Sequence, residues 1–293
     1  MTAVVLGSAA GGGFPQWNCR CAVCRLAWAG DPRVTARTQT SVAVSGNGQS
    51  WVLLNASPDL GTQIRGARML WPQSDGRHSP ISAAVLTGAE VDQTAGLLTL
   101  RERQPFDLFA TAPTLALLGA NPMFGVLARD VVRRQAVEFG ESFTVAGVEV
   151  ELFRVSGKVP LYREGAGDLA DDTAGVEVRR DGVRLVFIPG IAAMNDDIRE
   201  RLARADAVMI DGTLFTDDEM IRAGTGEKTG RRMGHMPLDG EDGTLEALAG
   251  LSNRRVLIHI NNTNPILVDG SPERVRVEQA GWEVAEDGQE IVL

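Results

Sequence analysis

Three cysteines fall within six residues, Cys19-Arg20-Cys21-Ala22-Val23-Cys24, and they are all the cysteines in the chain. Spacers of one and two residues let the three sulfurs converge. Three thiolates suit a soft cation such as Zn2+, which takes four ligands in a tetrahedron. The triplet predicts a structural zinc that staples the N-terminal segment to something distant. The motif does not name the fourth ligand. His78, His235, His259, Asp269 and the segment holding Asn261, Asn262 and Asn264 are the candidates. Three reduced cysteines without metal are the plain alternative. An odd, clustered set does not read as a secreted disulfide framework. Asp211 follows the apolar run Val208-Met209-Ile210, and His259 stands between Ile258 and Ile260, where strand alternation would point it away from both. A lone strand histidine is more commonly a core residue than a ligand, and an aspartate before Gly212 can simply make a turn.

A glycine-rich stretch, Gly7-Ser8-Ala9-Ala10-Gly11-Gly12-Gly13, follows the first apolar run. Its spacing is not that of a dinucleotide fingerprint. Phe14-Pro15-Gln16 then fails to start the helix whose N-terminus would receive a pyrophosphate. The stretch reads instead as a turn that needs backbone freedom.

Several elements must position these residues. Residues 3–6, 41–44, 51–54, 81–86, 148–153, 175–178, 183–188, 207–210 and 256–260 read as strands, with a hairpin turn at Gly46-Asn47-Gly48. Ser57-Pro58-Asp59 and Ser271-Pro272-Glu273 carry helix-start signatures, and residues 94–101, 195–204 and 243–251 carry helix-spaced leucines. Strands in groups with helices between some groups suit two packed sheets with helices outside. Residues 224–234, rich in glycine and charge, read as a mobile surface loop and a candidate lid.

The chain has 293 residues, 44% of them hydrophobic, enough for a sizeable core. The net charge of -9 argues against nonspecific nucleic-acid binding, which depends on neutralising phosphates. Arg231 and Arg232 form only a small basic patch. No apolar run approaches the roughly 18–20 residues of a membrane helix, and no basic segment precedes residues 3–10. The expectation is a cytoplasmic protein without membrane insertion.

Three stretches carry a family resemblance: VLGSAAGGGFPQWNCRCAVC (residues 5–24), WVLLNASPDLGTQI (51–64), and RMGHMPL (232–238) together with HINNTNPIL (259–267). They resemble the coenzyme PQQ (pyrroloquinoline quinone) synthesis protein B family across nearly the whole chain. That family is similar to metallo-β-lactamase-fold proteins. The resemblance implies an αββα four-layer sandwich in a single domain over residues 1–293. The superfamily's metal motif, T-H-x-H-x-D-H, corresponds to Thr87-Gly88-Ala89-Glu90-Val91-Asp92-Gln93. Only Asp92 matches a metal ligand; Gly88, Glu90 and Gln93 stand where histidines would be. Asp211 corresponds to the bridging aspartate and His259 to the last metal histidine. His235 falls in a Gly-His segment near the active site. A further histidine expected around residues 156–158 is absent.

With only three histidines in the chain, two full hydrolase-type centres are not expected. The expected active-site metal is Fe2+ or another divalent ion on Asp92, Asp211 and His259, with His235, Glu90 and Gln93 as further candidates. Two histidines and a carboxylate match non-haem Fe(II) oxygenases. His235 and Asp92 are the candidate catalytic groups, although Asp92 could instead cap the helix after it. Asn261, Asn262 and Asn264 could fix a turn, hold a substrate carboxylate or close the cysteine site. Lys158, Arg231 and Arg232 could pair with carboxylates of a PQQ-like molecule. The resemblance implies hydroxylation of the tyrosine moiety of the PQQ precursor peptide or its crosslinked Glu–Tyr product. The alternatives are a carrier that helps move PQQ or a precursor toward the periplasm, and a metal-dependent hydrolase. The same reading admits a homodimer.

Overall fold

The computed structural model describes residues 1–157 and 173–293. Two seven-stranded sheets face each other among these residues. The first holds β1 (Thr2–Gly7), β2 (Ser41–Ser45), β3 (Trp51–Leu54), β4 (Ile81–Val85), β5 (Phe106–Ala110) and β6 (Val132–Ala136) in that order. The second holds β7 (Ser142–Val145), β8 (Val148–Arg154), β9 (Ala174–Arg180), β10 (Val183–Ile188), β11 (Ala207–Asp211), β12 (Arg254–Ile258) and β13 (Glu283–Val284). The last strand, β14 (Glu290–Val292), returns to pair with β1, so both chain ends lie in one sheet.

Each strand's alternation decides which layer its side chains fill. In β10, Leu185 and Phe187 point between the sheets, while Val186 and Ile188 face outward under helices. In β1, Ala3 and Val5 point inward and Val4 and Leu6 outward. Three apolar layers result, one between the sheets and one beneath each outer helical layer. Each fully buried aliphatic or Phe side chain contributes about 1.5–3 kcal/mol. Strands apolar on both faces cannot set their register by polarity alone. A two-residue turn does so for β9 and β10, where Asp181 and Gly182 both take positive φ (51° and 85°) and Arg180 pairs with Val183. The layering is the αββα sandwich.

Helices cover the outer faces: α1 (Ala22–Trp28), α2 (Leu60–Gly66), α3 (Val91–Thr94), α4 (Ala112–Ala120), α5 (Asp196–Ala203), α6 (Glu219–Arg222), α7 (Thr244–Ala247) and α8 (Pro272–Gln279). Asn195 and Ser271 cap α5 and α8 through side-chain oxygens at 2.9 and 3.0 Å. The Ser57-Pro58-Asp59 signature works differently. α2 begins only at Leu60, and the Ser57 hydroxyl donates to Gln63 instead. The helix expected over residues 94–101 breaks into α3 and a 3-10 turn, Ala95–Leu100. The cause is local: the N–H of Gly96 bonds Ala56 O at 2.8 Å, and a Cβ there would stand 2.1 Å from Ser57 O. The helix expected over residues 243–251 is reduced to the four residues of α7. No helix of the described residues is long and apolar enough to cross a membrane.

Candidate metal centre and cysteine site

The parallel strands β4, β10, β11 and β12 deliver their C-terminal ends to one edge of the sandwich, and the polar residues gather there. Asp211 is the last residue of β11 and is fully buried. Its Oδ1 accepts from the Thr213 N–H at 3.0 Å and the Thr213 hydroxyl at 2.5 Å. Its Oδ2 accepts from the Ile191 N–H at 3.0 Å and lies 2.7 Å from His235 Nδ1. Burial pushes this carboxyl up, but the His235 and His259 rings outweigh it and hold the group below the usual carboxylate range.

His259 departs from the strand expectation. β12 ends at Ile258, and His259 takes a left-handed backbone with φ 59°. Ile258 consequently lies between the sheets while Ile260 lies in the outer layer. The conformation is locked on both sides: Gly212 N–H donates to Ile258 O at 2.7 Å, and Ile260 N–H to Ser8 O at 3.0 Å. Such backbone strain at a polar strand end is characteristic of functional sites. The ring stacks on His235, with centroids 5.3 Å apart.

Ligand atoms of Asp211, His235 and His259 all lie within 4.8 Å of one another. This set holds two of the three expected ligands, Asp211 and His259, together with His235, one of the further candidates, and leaves out Asp92. Asp92 stands to one side, with Oδ2 2.9 Å from His259 Nε2. It occupies the first turn of α3 rather than capping it; Glu90 is the cap residue. The Oε1 of Gln93 accepts from the Glu90 N–H at 3.2 Å, so its amide serves the helix start. Burial pulls the His259 ring down, but the Asp92 hydrogen bond and charge prevail and raise it. Burial likewise pushes the Asp92 carboxyl up, and His259 more than reverses this.

Thr213 is the residue that sequence reasoning missed. Its hydroxyl lies 3.1 Å from His235 Nδ1, 2.9 Å from His259 Nδ1 and 2.9 Å from His259 O, besides its bond to Asp211. The hydroxyl has one proton to donate and two lone pairs to take ring N–H groups, so it ties both rings and the carboxylate to a single point. No motif marks a threonine two residues past a strand. The Asp211 side chain is wholly sealed, whereas those of His235, His259 and Asp92 are 17%, 11% and 18% exposed, so the centre opens on their side.

The cysteine site lies beside the same His259 segment. Cys19, Cys21 and Cys24 sulfurs converge within 4.8 Å, around the start of α1. The amide of Asn262 reaches them, with Nδ2 at 3.1 Å from Cys19 Sγ and 3.3 Å from Cys24 Sγ. Of the five candidates for the fourth position, Asn262 alone is at the sulfurs. His78 accepts from the Gln73 N–H in a surface loop, and Asp269 lies near Arg274. His235 and His259 belong to the other centre. Burial pushes the Cys24 thiol up to about 12, opposed by bonds from Gln16 and Asn262. Deprotonating it there requires a cation.

A family model described as the beta-lactamase superfamily domain matches residues 50–260. Coenzyme PQQ synthesis protein B of Methylorubrum populi is 54% identical over the full length of both chains. This chain belongs to the coenzyme PQQ synthesis protein B family. The corresponding protein of Gluconacetobacter diazotrophicus is 53% identical over 98% of both chains. The crystal structure of Zn2+-bound PqqB from Methylobacterium extorquens superposes with a TM-score of 0.97 at 52% identity, covering all of both chains. A diphosphatase of the PhnP family shares the fold, with a TM-score of 0.71 at 20% identity over 100% of this chain and 97% of its own.

A Cβ at Gly88 would stand 2.7 Å from the Gln93 Oε1 that completes the α3 cap. The glycine-rich turn also has a place: Gly12 and Gly13 take φ of 96° and 72°, and a Cβ on Gly11 would touch Asp92 Oδ2 at 3.4 Å. The turn forms a wall of the centre. Of the roles open to the three asparagines, the contacts are those of a braced turn and a cysteine-site neighbour: all are buried, Asn261 bonded to Thr263, Asn262 to the sulfurs, and Asn264 to Gly212 O. Arg231 and Arg232 are exposed. Arg231 lines a cleft of about 340 Å3 with Arg199, Met236 and Glu241. The stretch expected to be a lid is anchored at its far end. Arg231 N–H donates to Asp217 Oδ1 at 2.8 Å, and His235 N–H to Gly230 O at 2.9 Å. Lys158 lies outside the described residues.

Proposed function

We propose that the protein acts in PQQ biosynthesis as a metal-dependent hydroxylase of the tyrosine moiety of the precursor peptide or its Glu–Tyr product. The observation that carries this reading is the convergence of Asp211, His235 and His259 on the open edge of the sandwich. Two imidazoles and one carboxylate suit Fe2+ with positions left for other ligands. When bound, such an ion supplies the capacity to activate dioxygen. The chain's own residues hold and orient: the Thr213 hydroxyl meets Nδ1 of both rings, and Asp92 Oδ2, 2.9 Å from His259 Nε2, is placed to share an ion held at that nitrogen. Asp92 and His235, both partly exposed, are the groups able to move a proton at the site. Arg231 and Arg232 are placed to pair with substrate carboxylates. The cysteine site fits Zn2+ on three converging thiolates, with the Asn262 amide N–H groups donating to Cys19 and Cys24 sulfurs. A cytoplasmic location belongs to the same reading, because the thiols must stay reduced.

The histidine-poor motif favours a second reading, a carrier for PQQ or its precursor. Hydrolysis at a binuclear centre has less support, because the described residues contain one Asp/His cluster only. Oxygen uptake by anaerobically prepared, Fe(II)-loaded protein with the tyrosine-containing precursor separates these. Uptake coupled to ring hydroxylation, and lost in His259→Ala, is expected. Iron-loaded, folded protein that consumes no oxygen but binds PQQ tightly would move the assignment to the carrier.

A further inference from the structure

The run Thr216-Asp217-Asp218-Glu219 looks like a solvated acidic turn, yet its members diverge. Asp217 receives the Arg231 N–H, and Asp218 pairs with Arg222 at the surface. Glu219, the first residue of α6, turns inward and is 7% exposed. Its two oxygens reach two different loops. Oε2 accepts from the Phe215 N–H at 2.7 Å, in the loop that begins with Asp211. Oε1 accepts from the Thr263 hydroxyl at 2.6 Å, in the loop that begins with His259.

We infer that Glu219 is a positioning residue for the metal centre, its carboxylate clamping together the two loops that carry Asp211, Thr213 and His259. The inference rests on the reading of Asp211, His235 and His259 as a metal centre. The chain of bonds continues past the carboxylate. Thr263 Oγ1 accepts from Asn261 Nδ2 at 2.6 Å, and the Asn261 N–H donates to Thr213 O at 3.1 Å. Asn264 Nδ2 crosses between the same loops, donating to Gly212 O at 2.9 Å and Thr213 O at 3.3 Å. Because Thr263 Oγ1 takes the asparagine amide on a lone pair, its single proton is directed to Glu219. Each of these two contacts is therefore a donor, which the ionised carboxylate accepts on both oxygens, whereas the protonated acid would carry a hydroxyl that finds no acceptor in either. A buried anion is costly unless hydrogen-bonded. Burial pushes Glu219 up to about 7, and the Thr263 and backbone donors keep it from going higher. Arg222, on the same helix, is the charged side chain that favours the anion. A carboxylate retained in so unfavourable a place is explained by what it joins.

The test is Co2+ titration of the full chain, read by visible absorption, with His259→Ala marking which bands belong to the centre. Glu219→Ala and Thr263→Val are each expected to weaken Co2+ at the centre by about 10–100-fold. Glu219→Gln should fall between them and the parent protein, since an amide accepts on one side only. Thermal melts establish that the variants are folded. Thr263→Val keeps the volume and the buried acid, so it reads the clamp even if Glu219→Ala fails to fold. Unchanged Co2+ affinity in folded Glu219→Ala and Thr263→Val would overturn the clamp alone. Co2+ bands in the parent that His259→Ala leaves untouched would overturn the metal-centre reading itself, and the clamp with it.

Discussion

The two clusters, one of sulfur and one of oxygen and nitrogen, sit on neighbouring parts of the same segment but are built in opposite ways. The cysteine site draws three donors from six consecutive residues and borrows one distant amide, from Asn262. The Asp/His centre draws one donor each from the ends of β11 and β12 and one from the loop at His235, with Asp92 added from the other sheet. The first can form as soon as α1 begins to wind. The second needs β11 and β12 paired side by side, and Asp92 meets it only once the two sheets have packed. Residues 259–264 join them: His259 belongs to one site, Asn262 to the other, and Asn261, Thr263 and Asn264 brace the turn between. A locally encoded site thus braces a globally assembled one.

The largest expected effect separates the two. His259→Ala should remove one equivalent of metal per chain while sparing the cysteine-bound one, as counted by elemental analysis. Loss of both together would show that they are one cooperative unit. Cys24→Ser should remove the cysteine-bound metal and lower Tm by about 5–10 °C, since the staple between α1 and residues 259–264 is lost. Calorimetry with and without a chelator measures this, and a Tm that ignores both chelator and substitution would deny the site any structural role.

The third effect is pH-dependent and smaller. Glu219 ionises at about 7 in the fold, against 4.5 as its ordinary value. The folded state therefore holds this proton more tightly than the unfolded chain. The stability the group confers is fully present below about pH 4.5 and is lost as pH rises to about 7. Relative to Glu219→Gln, the parent protein should lose on the order of 2–3 kcal/mol across that window. Urea unfolding of both proteins at several pH values tests it, and parallel stability curves would contradict the burial argument.

Much of this was legible in the residues. Apolar runs located the strands at the heart of both sheets, and the serine cap of α8 stood where Ser271-Pro272-Glu273 put it. Asp211 and His259 were visible as polar interruptions of buried runs. Less legible was the path of the chain beyond a strand end. His259 leaves the pleat through a positive φ that only neighbouring loops can hold. Thr213 and Glu219 carry no signature, because a threonine after a turn and a glutamate in an acidic run are commonplace until packing turns them inward. The asparagines' role stayed open between turn, substrate and cysteine site because an amide's partner is undefined in one dimension.

The amino-acid sequence by itself determined the cysteine site's donors, the sandwich, and the poverty of histidine that limits the Asp/His centre. Those features depend on residue type and short-range spacing, which chain order preserves. Tertiary structure alone decided that His235 joins Asp211 and His259, that Asp92 meets His259 at Nε2, and that Asn262 rather than a histidine meets the sulfurs. These are contacts between segments up to 243 residues apart. They arise only when two sheets, each buried on both faces, bring their strand ends to one edge.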